Sequence, residues 1–189
     1  SENGPADAYA SIALSATTTN GEPAGVTRVT TVPDGAGGVD VYVATATGAV
    51  TGTVGDPSTP LGAVDEAIQT QVVPLAVTAT VQSATALTIA VTYEVWVRAS
   101  IGLTESEVQT LIENAITAFL ASQPVGGSRK VAGGGFVFLE ALGAAITDAV
   151  GTAYLIDLAV AAPASDTAVS ATQAPVAGTL TSTVNLVSI

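Results

Sequence analysis

The sequence predicts an α+β fold: a small N-terminal helix with a two-strand unit, then an α/β domain with a β-hairpin, two amphipathic helices and further strands. Three observations predict it. Residues 72–97, "VVPLAVTATVQSATALTIAVTYEVWV", alternate apolar and polar in two runs, the period of half-buried strands. Residues 103–122, "LTESEVQTLIENAITAFLAS", repeat apolar side chains at helical spacing behind a capping signature. Helical and strand patterns also interleave along the chain, an order that belongs to α+β or mixed α/β proteins and not to an all-β sandwich. The division falls near residue 56, with the helix and two-strand unit in 1–56 and the C-terminal α+β domain in 57–189.

Residues 5–16, "PADAYASIALSA", suit a short helix with Pro5 in its first turn and Tyr9, Ile12 and Ala13 on one face. Asn20-Gly21 and Pro23 mark a loop, and residues 26–32 read as a strand with imperfect alternation. "PDGAGG" (33–38) is a turn, and 39–45 is a clearer strand with Val39, Val41 and Val43 on one face. After a Gly- and Thr-rich loop, Thr59-Pro60 pairs an N-cap with Pro at the first helical position. That helix runs to about Gln71 with Leu61, Val64 and Ile68 inward, and Pro74 cannot continue it. The hairpin follows at 75–97. With Ser83-Ala84-Thr85 as its loop, Val81 opposes Leu87, Val77 opposes Val91 and Leu75 opposes Tyr93. A slip of one residue would reverse the faces.

The helix near 104–122 has Thr104 as cap, Glu107 at N3, and Leu103 placed to staple onto Val108. Val108, Leu111, Ile112, Ala115, Ile116, Phe119 and Leu120 make its apolar stripe. Residues 123–135 read as a loop or short extended connector. A second helix is expected at 136–150, with Phe138, Leu142, Ala145 and Ala149 on one stripe and Gly151 as the stop. "AYLIDLAV" (153–160) alternates, with Tyr154, Ile156, Leu158 and Val160 on one side. A last strand at 179–188 places Leu180, Val184 and Leu186 together.

Composition narrows the function classes. The chain has 189 residues, 48% apolar and 11% charged, which is enough to bury a core and is unlike a disordered segment. The net charge is −12, from 16 acidic residues against Arg28, Arg98, Arg129 and Lys130. Nucleic-acid binding needs a basic footprint, and anionic membranes attract basic segments, so neither partner is expected. No apolar run approaches the ~20 residues of a spanning helix, so no membrane insertion is expected. With no His and no Cys, Ser–His and Cys–His triads and the usual Cys/His zinc sites are excluded.

The candidate sites are few. "GGSRKVAGGG" has a phosphate-loop look, but its spacing fits neither GxxxxGK[ST] nor GxGxxG, and a surface loop accounts for it. Asp65 and Glu66 are adjacent and diverge on a helix, while Glu105 and Glu107 serve capping and the helix dipole. Asp34 and Asp40 flank a turn, where solvation accounts for them. No motif nominates two carboxylates facing each other at about 5–9.5 Å, so carboxylate-only hydrolysis has no pair and no enzyme is expected. No cofactor or metal is expected. The distinctive group is Trp96, on the even face of strand 86–97 with Thr92, Glu94 and Arg98. Trp and Arg are enriched at interface hot spots, so Trp96, Arg98, Glu94 and Thr92 are the candidate interface. The competing reading is that a loop or the N-terminal unit covers the indole. Arg98 and Glu94, two apart on one strand face, are expected to form an ordinary exposed ion pair.

Several stretches together resemble the baseplate J-like family of contractile phage tails and related contractile injection systems. They are "ADAYASIAL", "AGVTRVTTVPDGAGGVDVYV", the helix–Pro–strand run "TPLGAVDEAIQTQVVPLAVTATVQSATALTIAVTYEVWV", and "LTESEVQTLIENAITAFLASQPVGG" followed by "FLEALGAAITDAVGTAYLIDLAVAAPASD". The family often has Arg before the hairpin's Pro, where Val73 stands here, and a longer N-terminal region, so the chain corresponds to a middle and C-terminal part or to a short version. The resemblance implies a structural wedge component of a tail baseplate. Such a component assembles in the host cytoplasm into a virion or phage-like particle, with copies of itself and other wedge proteins around a hub. No individual contact residue carries over. The alternative from composition is a secreted or cell-surface adhesion module, which the helical stretches disfavour.

Overall fold

The computed structural model describes residues 4–72, 77–129 and 135–188. The chain divides into two compact units, Ser1–Ala86 with Pro124–Gly126 and Ser170–Ala174, and Leu87–Gln123 with Gly127–Val169 and Pro175–Ile189. The sequence reading drew the division near residue 56. In the structure the first unit's main run continues through the next helix and strand to Ala86.

The first unit opens with α1 (Gly4–Ser15), which buries Tyr9 and Ala13. β1 (Arg28–Pro33) and β2 (Val39–Thr45) form an antiparallel hairpin from Arg28↔Ala44 to Pro33↔Val39. Asp34 closes its turn by accepting from the Ala36 and Gly38 N–H groups at 2.7 and 2.8 Å. A short β3 (Gly48–Ala49) pairs back onto β2. α2 (Pro60–Gln71) begins as its sequence dictates, with Thr59 Oγ1 accepting from Gly62 N and Pro60 at N1. It buries Leu61, Val64 and Ile68 against Val41, Val43 and Val81.

β4 (Ala79–Ser83) corrects the expected strand pairing. It lies parallel to β2, from Val39↔Ala79 to Val43↔Ser83, and the next strand belongs to another sheet. The fold class with a β-hairpin stands, and β1–β2 is such a hairpin; the opposition of Val81 to Leu87 and of Val77 to Val91 is not formed. Leu75 falls outside the described residues. The cause is local. Ala84 alone separates β4 from the next strand, so no residues remain to turn the chain back. Ala84 N continues onto Val43 O at 2.8 Å, and Thr85 N turns to Thr172 O at 2.9 Å. Alternation reports which face is buried but not which strand lies alongside.

β5 (Thr85–Arg98), which enters the second unit at Leu87, is the central strand of a three-stranded sheet between β10 (Gln173–Val187) and β8 (Leu155–Ala162). Its odd positions Ile89, Val91, Tyr93, Val95 and Val97 are buried beneath two helices. A single 3₁₀ turn, Ala99–Ile101, ends at Gly102, whose φ of 76° is one that Gly adopts freely. α3 (Glu105–Ser122) forms with its capping box intact and buries Val108, Ile112, Ile116 and Leu120.

β6 (Ser128–Arg129), β7 (Gly135–Val137) and β9 (Thr167–Val169) make a small antiparallel sheet. The expected helix at 136–150 therefore starts later, as α4 (Leu139–Val150), because Phe136 and Val137 pair with β9. Its buried spine is Leu142, Ile146 and Val150, and Phe138 is the residue before the helix. β8 (Leu155–Ala162) runs antiparallel to β5 with register shifts between Thr92 and Tyr93 and between Trp96 and Val97. The second shift leaves Ile156 between partners, so Leu155 turns toward the core while Tyr154 and Ile156 are exposed. The expected face of Tyr154, Ile156, Leu158 and Val160 thus holds only for Leu158 and Val160. β10 (Gln173–Val187) packs Leu180, Val184 and Leu186 on the core as expected. Gly178 sits against Thr88 and Ile89 while Asn185 reaches Glu94 and Val95, so β10 runs parallel to β5.

Candidate functional site

The face of the β10–β5–β8 sheet opposite α3 and α4 holds the four candidate interface residues. Period-two geometry sends the even residues of β5 there once the odd ones are committed to the core. Thr92, Glu94 and Trp96 are half-buried and Arg98 is exposed at the strand's end. Trp96 stands opposite Asp157, Glu94 opposite Ala159, and Thr92 opposite Ala162. Along the strands most of the face is small and polar, with Thr88, Ala90, Thr181 and Thr183 exposed, while Ile156 is exposed next to Asp157, the partner of Trp96.

The structure brings Thr92, Glu94 and Trp96 together and separates the expected ion pair. Glu94 Oε1 accepts from Asn185 Nδ2 of β10 at 3.1 Å, and the same amide reaches the Val95 carbonyl at 3.4 Å. Among the described residues no ion pair joins Glu94 to Arg98. Asn185 is the residue that sequence reasoning missed. Alternation of 179–188 puts it on the polar side, because its neighbours Val184 and Leu186 pack on the core, but nothing local names β5 as the adjacent strand.

Beneath this face, the Tyr93 hydroxyl is buried, and among the described residues no group meets it in hydrogen-bond geometry. Burial pushes its phenol up, Ser182 nearby partly offsets that, and the Glu113 charge adds to it. It stays neutral and packs as core. In the first unit Arg28 is buried and donates to the Thr45 carbonyl. Desolvation lowers its pKa. Asp65 accepts from Gln69 at 3.2 Å and Asp40 from Gln82 at 3.4 Å, so these carboxylates are engaged locally.

Three concavities accompany these faces. A polar one of about 210 Å³ lies between α1 and α2, bordered by Ser15, Thr19, Glu66 and Thr70. An apolar one of about 310 Å³ lies between α1 and the β1–β2 hairpin, bordered by Tyr9, Pro33 and Val39. The third, about 580 Å³, is an open depression beside Phe138, Glu140 and Asp166. Among the described residues no cluster of three carboxylates could hold a metal ion, and no helix is long and apolar enough to cross a membrane. What the arrangement offers is a largely polar sheet surface with the Trp96 indole near the end of its central strand, and Trp is a residue type enriched at protein contacts.

A scan of the chain against protein-family models and a search of curated proteins both return no match.

Proposed function

We propose that the chain is a structural baseplate wedge component of a contractile phage tail or phage-like injection particle. In this reading it assembles with itself and with other wedge proteins around a hub, and its place is the tail baseplate of the particle. The observation that carries the reading is the half-buried Trp96 on a largely polar sheet face, opposite Asp157 and with Glu94 held by Asn185. A rigid strand presents the indole without loop entropy to lose, which is what an interface anchor needs. The chain order α2–β4–β5–α3–β6–β7–α4–β8 keeps the expected succession of helices and long strands, although β4 and β5 do not pair as the hairpin that the resemblance implies. Its role is mechanical: a stable subunit transmits a rearrangement of the ring through its contacts.

Sedimentation of native source-cell lysate, with detection of the chain across the gradient, tests this. The expected result is co-migration with megadalton particles that hold sheath and tube subunits. Recovery only as a small species or in the cell-wall fraction, while tail particles sediment without it, overturns the reading in favour of an adhesion module.

A further inference from the structure

We propose that the outer edge of β10 is a pairing edge, and that it takes the β10 strand of a second copy of this chain, antiparallel across a two-fold axis. β10 ends its sheet: β5 lies on one side of it, and among the described residues no strand lies on the other. An unpaired edge presents a row of N–H and C=O groups that only another strand satisfies regularly.

Three features single out this edge. First, it lacks the usual protection. No charged residue occurs after Asp166, so the whole of β10 is uncharged, and its one Pro, Pro175, stands at its start. The opposite edge is blunted, since β8 has Asp157 and two register shifts. Second, the burial is unfinished. Val91, Val95 and Val97 of β5 are fully buried, whereas Leu180, Val184 and Leu186 of β10 are only partly covered by the same core. A further strand beside β10 supplies the missing neighbours. A two-fold axis normal to the sheet keeps both copies' apolar faces on one side, so Leu180, Val184 and Leu186 of each extend the other's layer. Third, charge selects the partner. With a net charge of −12, two copies repel over most of their surfaces and approach with least cost along an uncharged strand. A cationic partner gains nothing there.

The contact deepens the assembly reading above by naming a surface, and rests on that reading only for the purpose it serves. Sedimentation velocity of the purified chain over a concentration series tests it, with Thr181→Lys/Thr183→Lys as the edge variant. Both threonines are exposed, and the change lowers the net negative charge, so weaker association cannot come from general repulsion. Thr110→Lys/Thr117→Lys, on the exposed side of α3, is the control with the same charge change. Wild type and control are expected to form dimers reversibly, and the edge variant to associate about tenfold more weakly or less. Amide exchange in wild type should slow across 179–187 as concentration rises. A monomer at every concentration, an edge variant that dimerises like wild type, or exchange at 179–187 independent of concentration overturns the proposal. The exchange measurement needs no variant, so misfolding of the edge variant leaves the test intact. A monomer that nevertheless sediments with tail particles removes this contact and keeps the wedge reading; a β10 dimer absent from particles does the reverse.

Discussion

Gly178 lies so close to Thr88 that a Cβ placed on it would stand 2.7 Å from the Thr88 Cγ2 methyl and 3.1 Å from the Ile89 carbonyl oxygen. The core-facing phase of β10 slips between Ala177 and Leu180, and Gly178 occupies the slip. A glycine in a strand interior marks such a close backbone approach. Gly178→Ala is therefore expected to destabilise the fold by about 1–3 kcal/mol through overpacking. Thr88→Ser removes the methyl and should restore part of that loss. Urea unfolding of both single variants and the double variant measures the coupling, and a double variant no better than additive removes the contact as the cause.

Asp166 caps α4 from a distance. Phe138 has no side-chain cap to offer, and the Leu139 N–H donates instead to Asp166 Oδ1 at 3.1 Å. Asp166→Ala should cost about 1 kcal/mol, as loss of a cap does, and Asp166→Asn should retain most of it. Amide exchange at the first turn of α4 is the local readout, and unchanged exchange in the alanine variant counts against the cap.

Gly178 and Asp166 mark where the sequence stops being legible. α2 and α3 were readable because Thr59–Pro60 and Thr104–Glu107 signal locally, within one turn. The β1–β2 hairpin was readable as two strands flanking the Asp34 turn. The start of α4 was not, because its cap lies 27 residues away and Phe136 pairs with Ala168. Alternation gives β4 and β5 their buried faces but not their neighbours, since period two is blind to partners. The same holds for the site. Thr92, Glu94 and Trp96 share a face by alternation alone, whereas Glu94's partner Asn185 comes from 91 residues away.

The capping box gives a pH dependence. Glu107 accepts from Thr104 N and Thr104 Oγ1, each at 2.8 Å, and these bonds hold its carboxyl below the ordinary range. A carboxyl with a lowered folded-state pKa favours the fold while ionised. Its contribution is present above the unfolded-state value and is lost as pH falls through the folded-state value. Glu107→Gln should therefore lower the urea midpoint at neutral pH, with the gap to wild type closing below about pH 4. A gap that persists undiminished in acid contradicts this origin. Thr104→Ala should cost about 1 kcal/mol at neutral pH.

Gly62 is a packing requirement inside a helix. A Cβ there would meet the Asp56 carbonyl oxygen at 2.0 Å and the Thr53 carbonyl oxygen at 2.6 Å, both of them backbone. The loop cannot yield easily, because Thr59 Oγ1 accepts from Thr53 N at 3.2 Å and donates to Asp56 O at 2.8 Å. Gly62→Ala, which raises helix propensity, should nonetheless destabilise the first unit, at the upper end of about 1–3 kcal/mol. A stabilised variant in thermal unfolding contradicts the packing shown.

Trp96 is the single tryptophan, so its emission reports the sheet face without a label. In the isolated chain the indole is half-buried opposite Asp157, and its emission should be that of a partly hydrated ring. If this face is the assembly surface, incorporation into particles removes water from the indole and shifts the emission to shorter wavelength. Trp96→Ala separates this role from a structural one. The side chain lies outside the α3–α4 core, so the variant's urea midpoint should fall far less than the about 2–5 kcal/mol equivalent of Ile116→Ala, whose side chain is fully buried. Recovery of the variant in particles should drop sharply at the same time. A variant that enters particles normally, or one that unfolds as readily as Ile116→Ala, assigns the indole to the fold and not to the interface.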